Sequence, residues 1–186
     1  MRADAQRNIE RILDAAVDAL ADDPEVGMAA IARRAGVVRA TVYVHFPTRE
    51  ALLAAVAQQA FEQVRAVIAG ADPDQGDPRE ALARVIRGAW RTLGRYHGLV
   101  AVQTQAHGHE GLHAQHEPVM AALHPLIERG QADGTFRQGV PASWHLATLI
   151  ALVHAASGEA RTGRLAEEVA ADALVESVLG AICRRA

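Results

Sequence analysis

Met-Ala-Ala-Ile-Ala-Arg-Arg-Ala-Gly-Val-Val-Arg-Ala-Thr-Val-Tyr-Val-His-Phe-Pro-Thr-Arg, residues 28–49, is the stretch from which the rest of the chain can be read. It holds four arginines and no Asp or Glu, in a chain whose formal net charge is −3. Apolar spacing predicts a short helix from about Met28 to Ala35, ended at Gly36, where a left-handed backbone costs glycine nothing. A second follows from about Arg39 to His45 and stops at Phe46-Pro47, because the residue before proline is pushed out of the α region. Gly27 sits at the first N-cap without a side-chain acceptor. Small Ala32 permits a close helix crossing, and Val37 and Val42 anchor the start of the second helix. This is the spacing of a helix-turn-helix, whose second helix offers its N-terminal half to the DNA major groove.

Working outward, Ile9, Ile12, Leu13, Ala16, Val17 and Leu20 form one apolar stripe, so a helix is expected from about Ala5 to Asp22. On the other side, Thr48 is a good N-cap, and neither glycine nor proline interrupts Thr48 to Ala69. Those 22 residues would span roughly 33 Å at about 1.5 Å each, more than a three-helix DNA-binding unit uses. The helix is therefore expected to link that unit to something else. Gly70 to Pro78, with three Asp and two Pro among its residues, is the clearest break in composition and reads as a loop.

Beyond it, helical spacing returns from about Pro78 to Tyr96, Leu99 to Ala106, Glu117 to Ala132, Pro141 to Arg161 and Gly163 to Arg184. The His- and Gly-rich run 107–116 reads as a loop. No strand-like alternation and no internal repeat is visible. The expectation is an all-α chain of about nine helices: a helix-turn-helix domain over 1–47, a connecting helix over 48–70, and a helical ligand-binding and dimerisation domain over 71–186. With 50% hydrophobic and 22% charged residues the chain can bury a sizeable core. Its pI of about 6.3 argues against non-specific coating of nucleic acid but leaves room for a local basic patch. All basic charge besides histidine is arginine, since the sequence has no lysine. One cysteine, Cys183, excludes an intrachain disulfide, and no apolar leader or membrane-length segment is seen. A cytoplasmic protein with no membrane association is expected.

Residues 31–52, from Ile31-Ala-Arg-Arg-Ala-Gly-Val to Tyr43-Val-His-Phe-Pro-Thr-Arg-Glu-Ala-Leu52, resemble the tetracycline-repressor (TetR) family of bacterial transcription regulators. With the preceding amphipathic helix the resemblance covers about residues 5–70. It implies three N-terminal helices around the reading helix, a connecting fourth helix, and a ligand-binding domain whose last two helices pair with those of a second copy. It also implies repression relieved by a small molecule. Tyr43 and His45 match positions that touch DNA phosphates, and Arg49 matches a phosphate-binding lysine. Arg39, Ala40 and Thr41 match positions that face base edges. Gly27 and Val38 depart from the family, which usually has Thr and Ser there as caps and phosphate donors. Losing both caps should cost about 1 kcal/mol apiece, and phosphate affinity should then lean on Arg33, Arg34 and Arg49, with Thr48 beside them. Phe46 reads as a core plug. Arg2, Arg7 and Arg11 are further candidates for backbone or minor-groove contacts.

A mostly apolar effector pocket is expected from Trp90, Leu93, Tyr96, Gln103, His107, Met120, Leu123, Trp144 and Leu149, which suits a small hydrophobic or aromatic ligand. The expected dimer surface comprises Leu149, Leu152 and Val153 with Val169, Val175, Val178, Leu179 and Ile182. No cofactor or metal is assigned. His107, His109, His113 and His116, near Glu110, Glu117 and His124, suggest an alternative, a metal-responsive regulator. The other alternative is a helical ligand-binding or enzymatic module that never meets DNA. No nucleophile–base spacing or phosphate-binding glycine loop supports an enzyme.

Overall fold

The computed structural model describes residues 2–96, 98–100, 102 and 109–184, with side chains described from Ala5 onward and, in the helix that starts at His109, from His116. The helices are α1 (Arg2–Asp22), α2 (Met28–Arg34), α3 (Arg39–His45), α4 (Arg49–Gly70), α5 (Pro78–Leu93), a 3-10 turn (Gly94–Tyr96), α6 (His109–Ala132), α7 (Ala142–Arg161) and α8 (Glu167–Ile182). Among the described residues there is no strand, only an isolated bridge between Phe136 and Cys183. The all-α expectation of about nine helices holds.

The chain forms two compact units: residues 1–60 with 95–106, and residues 61–94 with 107–186. The division falls inside α4 and not at the loop after it. In the first unit α1 packs on α2 and α2 on α3. Ile12, Ala16, Leu20, Ile31, Val42, Leu52 and Val56 are buried there, along with Phe46, the expected plug. Tyr96, Leu99 and Val102 are buried as well. Gly98 allows the tightest approach, since a Cβ on it would stand 2.0 Å from the Leu20 carbonyl oxygen. No other residue fits there.

In the second unit α5 packs on α6 and α8, and α7 on α6 and α8. Their core includes Leu82, Ile86, Trp90, Leu123, Ile127, Phe136, Leu146, Leu174, Val178 and Ile182. Asp77 caps α5, its carboxylate accepting from the N–H groups of Arg79 (2.8 Å) and Glu80 (3.2 Å), with Pro78 in the first turn where no N–H is needed. Two arginines hold the loop before it. Arg84 donates to the carbonyls of Ala71, Asp72 and Gln75, and Arg129 to those of Gly76 (2.6 Å) and Pro73 (2.8 Å). The segment with the most linker-like composition is thus pinned by charge-assisted bonds.

The reading of 107–116 as a loop is corrected in part, because α6 already begins at His109. It continues through Pro118 and Pro125, both of which lie exposed. On a solvent-facing side the carbonyls that each proline leaves without a partner can turn to water, so the helix survives.

Candidate nucleic-acid interface and ligand-contact positions

The turn between α2 and α3 is a complete Schellman closure. The N–H of Val37 donates to the Ala32 carbonyl (3.0 Å) and that of Gly36 to Arg33 (3.2 Å), with Gly36 at φ +66°. Arg11 reaches from α1 and donates to the Ala35 carbonyl at 2.8 Å, satisfying the end of α2. Its role is a brace within the unit. Ala32, Val42 and Phe46 are buried beneath the turn, so α3 is held from one side only.

Arg39, Ala40, Tyr43 and Val44 on that helix are exposed, and Thr41 and His45 are half-exposed. Arg39 lies over the Tyr43 ring, 5.2 Å from its centroid, and donates to the Tyr43 hydroxyl at 3.1 Å. The stacking orients the guanidinium while leaving most of its five N–H donors for another partner. Arg33 is exposed at the end of α2.

Three of the expected contact residues have partners inside the unit. Arg49 donates to the carbonyls of Pro24 (2.6 Å) and Val26 (3.3 Å), tying the α1–α2 loop to the start of α4. These two bonds use part of its five-donor fork and hold it as a brace within the unit. Thr48 accepts from the Ala51 N–H at 3.1 Å as the cap of α4. The carboxyl of Glu50 is held below its ordinary range by its own backbone N–H and then by Thr48. Arg34 pairs with Asp22 at 2.5 Å, an exposed ion pair that salt or a phosphate can compete with.

Gly27 and Val38 have extended backbones and no side-chain cap bond, as expected. Sequence reasoning missed what Val38 and Val44 present. They are 70% and 77% exposed, and with Tyr43 they make three of the five large exposed apolar side chains among the described residues. Val38 is the N-cap of α3 and Val44 lies in its last turn, so exposed apolar side chains stand at both ends of the reading helix. At 3.6 residues per turn Val44 lies on the side of α3 opposite buried Val42, a signal the sequence does carry.

In the second unit Trp90, Met120, Leu123 and Leu149 are buried in the core and Leu93 packs partly buried against it. Tyr96 is also buried but belongs to the first unit, its hydroxyl has no hydrogen-bond partner, and burial pushes its phenol above the ordinary value. Gln103 and His107 lie outside the described residues. Trp144 departs from expectation, being 61% exposed beside an open groove of about 560 Å³ shared with Phe136, Arg137, Val140 and Arg184. It sits in the first turn of α7, on the side opposite buried Ala142 and away from buried His145 and Leu146. Met120 and Leu146 border another open groove of about 450 Å³ with Glu117, His124 and Ser143.

Most of the expected dimer face also points elsewhere. Val178 and Ile182 have no exposed surface, and Leu149, Val175 and Leu179 are buried in their own unit. An apolar stripe on α8 served the nearest core first. Leu152 and Val153 are half-buried, and Val169 is 53% exposed.

A histidine pair went unnoticed in the sequence. His116 of α6 and His154 of α7 place their Nε2 atoms 3.3 Å apart, with ring centroids 5.0 Å apart at 76°. Phe61 of α4 meets His116 edge-on at 5.2 Å. Burial, and then His116, lowers the pKa of His154 to about 4.

Two parts of the chain match known families. Residues 12–56 match the tetR family of bacterial regulatory proteins, and residues 77–180 match the C-terminal domain of SbtR-like transcriptional regulators. The repressor LfrR of Mycolicibacterium smegmatis is 42% identical over 81 residues, covering 44% of this chain and 43% of LfrR. The regulator NfxB of Pseudomonas aeruginosa is 29% identical over 177 residues and 91% of each chain. Against LfrR and the repressor NicS of Pseudomonas putida, the matched stretch spans only about half of the relative's length or less. The crystal structure of LfrR from Mycobacterium smegmatis in complex with proflavine superposes with a TM-score of 0.71 over 97% of this chain and 98% of that one, at 29% identity. No helix among the described residues is long and apolar enough to cross a membrane.

Proposed function

Because this chain belongs to the tetR family of bacterial transcription regulators, we propose that it is a homodimeric repressor that binds a near-palindromic DNA operator and releases it on binding a small hydrophobic or aromatic effector. The family is one of regulators and not of enzymes. The observation that carries the DNA reading is the exposed N-terminal half of α3, held by the closed turn at Gly36 and free of any acid across residues 28–49. Arg39 is the base reader in this proposal, its fork matching guanine O6 and N7. Tyr43, His45 and Arg33 serve phosphates, which set register without reading sequence. Val38 and Val44 have the thymine methyl group as their natural counterpart in the major groove.

For the effector, the support is the buried apolar set Trp90, Met120, Leu123 and Leu149 and the proflavine bound by LfrR. For the dimer it is what α7 and α8 leave uncovered: Leu152, Val153 and Val169, with the small exposed residues Ala151, Ala155, Ser177 and Gly180 beside them. The two reading helices would then lie about one helical turn apart on DNA. Residues of α4 belong to both units, so α4 is one covalent route by which effector binding reaches the head. The test is footprinting on DNA flanking the gene at low salt. A protected near-palindrome, lost when an effector is added, is expected. If no site is protected and Arg39→Ala leaves any weak binding unchanged, the reading fails.

A further inference from the structure

The His116–His154 pair turns two imidazole Nε2 atoms toward one another across the α6–α7 contact. An N–H donor usually stands 2.7–3.2 Å from its acceptor, and these two Nε2 atoms are 3.3 Å apart. Two imidazole nitrogens each about 2.0–2.1 Å from one tetrahedral ion stand about 3.3 Å apart, so the observed separation is the edge of such a site. The two rings come from different helices, α6 and α7, which pack on one another, so the spacing is set by the fold and not by a flexible loop. Both side chains are half-buried, reachable by an ion yet partly shielded from bulk water.

We propose that His116 and His154 form a two-histidine site for a borderline divalent ion, Zn(II), Ni(II), Co(II) or Cu(II), bound through the two Nε2 atoms. Imidazole nitrogen selects these metals over magnesium or calcium, which prefer oxygen. Among the described residues no third His, Cys, Asp or Glu joins the pair. The described residues supply two positions, and further donor atoms complete the coordination. Occupancy would fasten α6 to α7 at the point where Phe61 of α4 rests on His116. His116 also belongs to the histidine cluster read in the sequence, but its partner here, His154, lies 38 residues away on α7 and outside that cluster.

The test reads metal binding directly and so stands apart from the DNA-binding proposal. The full chain is titrated with Zn(II) against a chromophoric chelator and with Co(II) by absorption spectroscopy. One ion per chain is expected, with the intense visible bands of a low-coordinate Co(II) centre. His116→Ala and His154→Ala should each weaken binding at least about tenfold, a loss of about 1.4 kcal/mol. His124→Ala, on the same helix but paired with Glu128, should leave it unchanged. If a variant loses its helical signal, the imidazole nitrogen NMR shifts of the wild-type chain on adding Zn(II) give the answer without it: two histidines should move together. Binding that is no tighter in the wild type than in the double His116→Ala/His154→Ala variant, or Zn(II) that leaves the imidazole shifts in place, overturns the proposal.

Discussion

The two units of this chain keep their working surfaces in opposite places. The first displays its chemistry outward, on the exposed face of a seven-residue helix clamped from below by Val42, Phe46 and the turn at Gly36. The second turns most of its apolar residues inward, with Trp144 and Val169 the large apolar side chains left exposed among its described residues. A surface made of one short helix is a local object, specified by neighbouring residues. An interior made of α4, α5, α6, α7 and α8 is not. Side chains that meet there come from positions far apart in sequence, as His116 and His154 do.

The sharpest way to break this contrast is to damage one unit and ask whether the other notices. Phe136 is fully buried in the second unit, against Gly130. Phe136→Ala should cost about 3–5 kcal/mol, read as a large drop in melting temperature with the helix-turn-helix chemical shifts retained at low temperature. Loss of those shifts at the same rate would mean the head is not an independent object.

Next in size is the head's own energetics. Arg39→Ala should lose about 1–3 kcal/mol of DNA affinity, concentrated at one base pair, while melting within experimental error of the wild type, since no buried group depends on it. An equal loss at every operator position would make Arg39 a phosphate contact.

Val38→Ser restores a hydroxyl at the N-cap of α3. It should stabilise the first unit by about 1 kcal/mol, seen as a small rise in melting temperature, and it removes one of the exposed valines from the reading surface. An unchanged stability would show that tertiary clamping, and not capping, holds α3.

A pH titration compares the units differently. The pKa of His154 falls from 6.5 to about 4 on folding, so the unfolded chain takes up a proton that the folded chain refuses. The stabilisation is fully present above pH 6.5 and is lost as the pH falls toward 4. Denaturant melts across that window should show this slope, and His154→Leu should flatten it. Carboxylates such as Asp133, held below their usual range by the Thr135 N–H, act only at lower pH.

How much was legible follows the same contrast. The helix from Arg39 to His45 was read to the residue, and the one before it to within one, because Gly36 and Pro47 punctuate the chain locally. The absent caps at Gly27 and Val38 were readable for the same reason. Arg49 was not, since its partners Pro24 and Val26 lie in another loop. Periodicity marked the apolar face of α8 correctly but could not say whether a neighbouring helix or a second subunit would cover it. Trp144 looked like a pocket residue by type alone. Only the packing shows that its side of the first turn of α7 faces solvent while Ala142 and His145 are buried.

The central claim is that DNA recognition resides in the exposed surface of α3. It is tested most directly by the affinity of the wild type and of Arg39→Ala/Tyr43→Phe for a footprinted operator at low salt. The account predicts at least about a tenfold weakening with unchanged helical content and melting temperature. Equal affinity of the two proteins for that operator would contradict it.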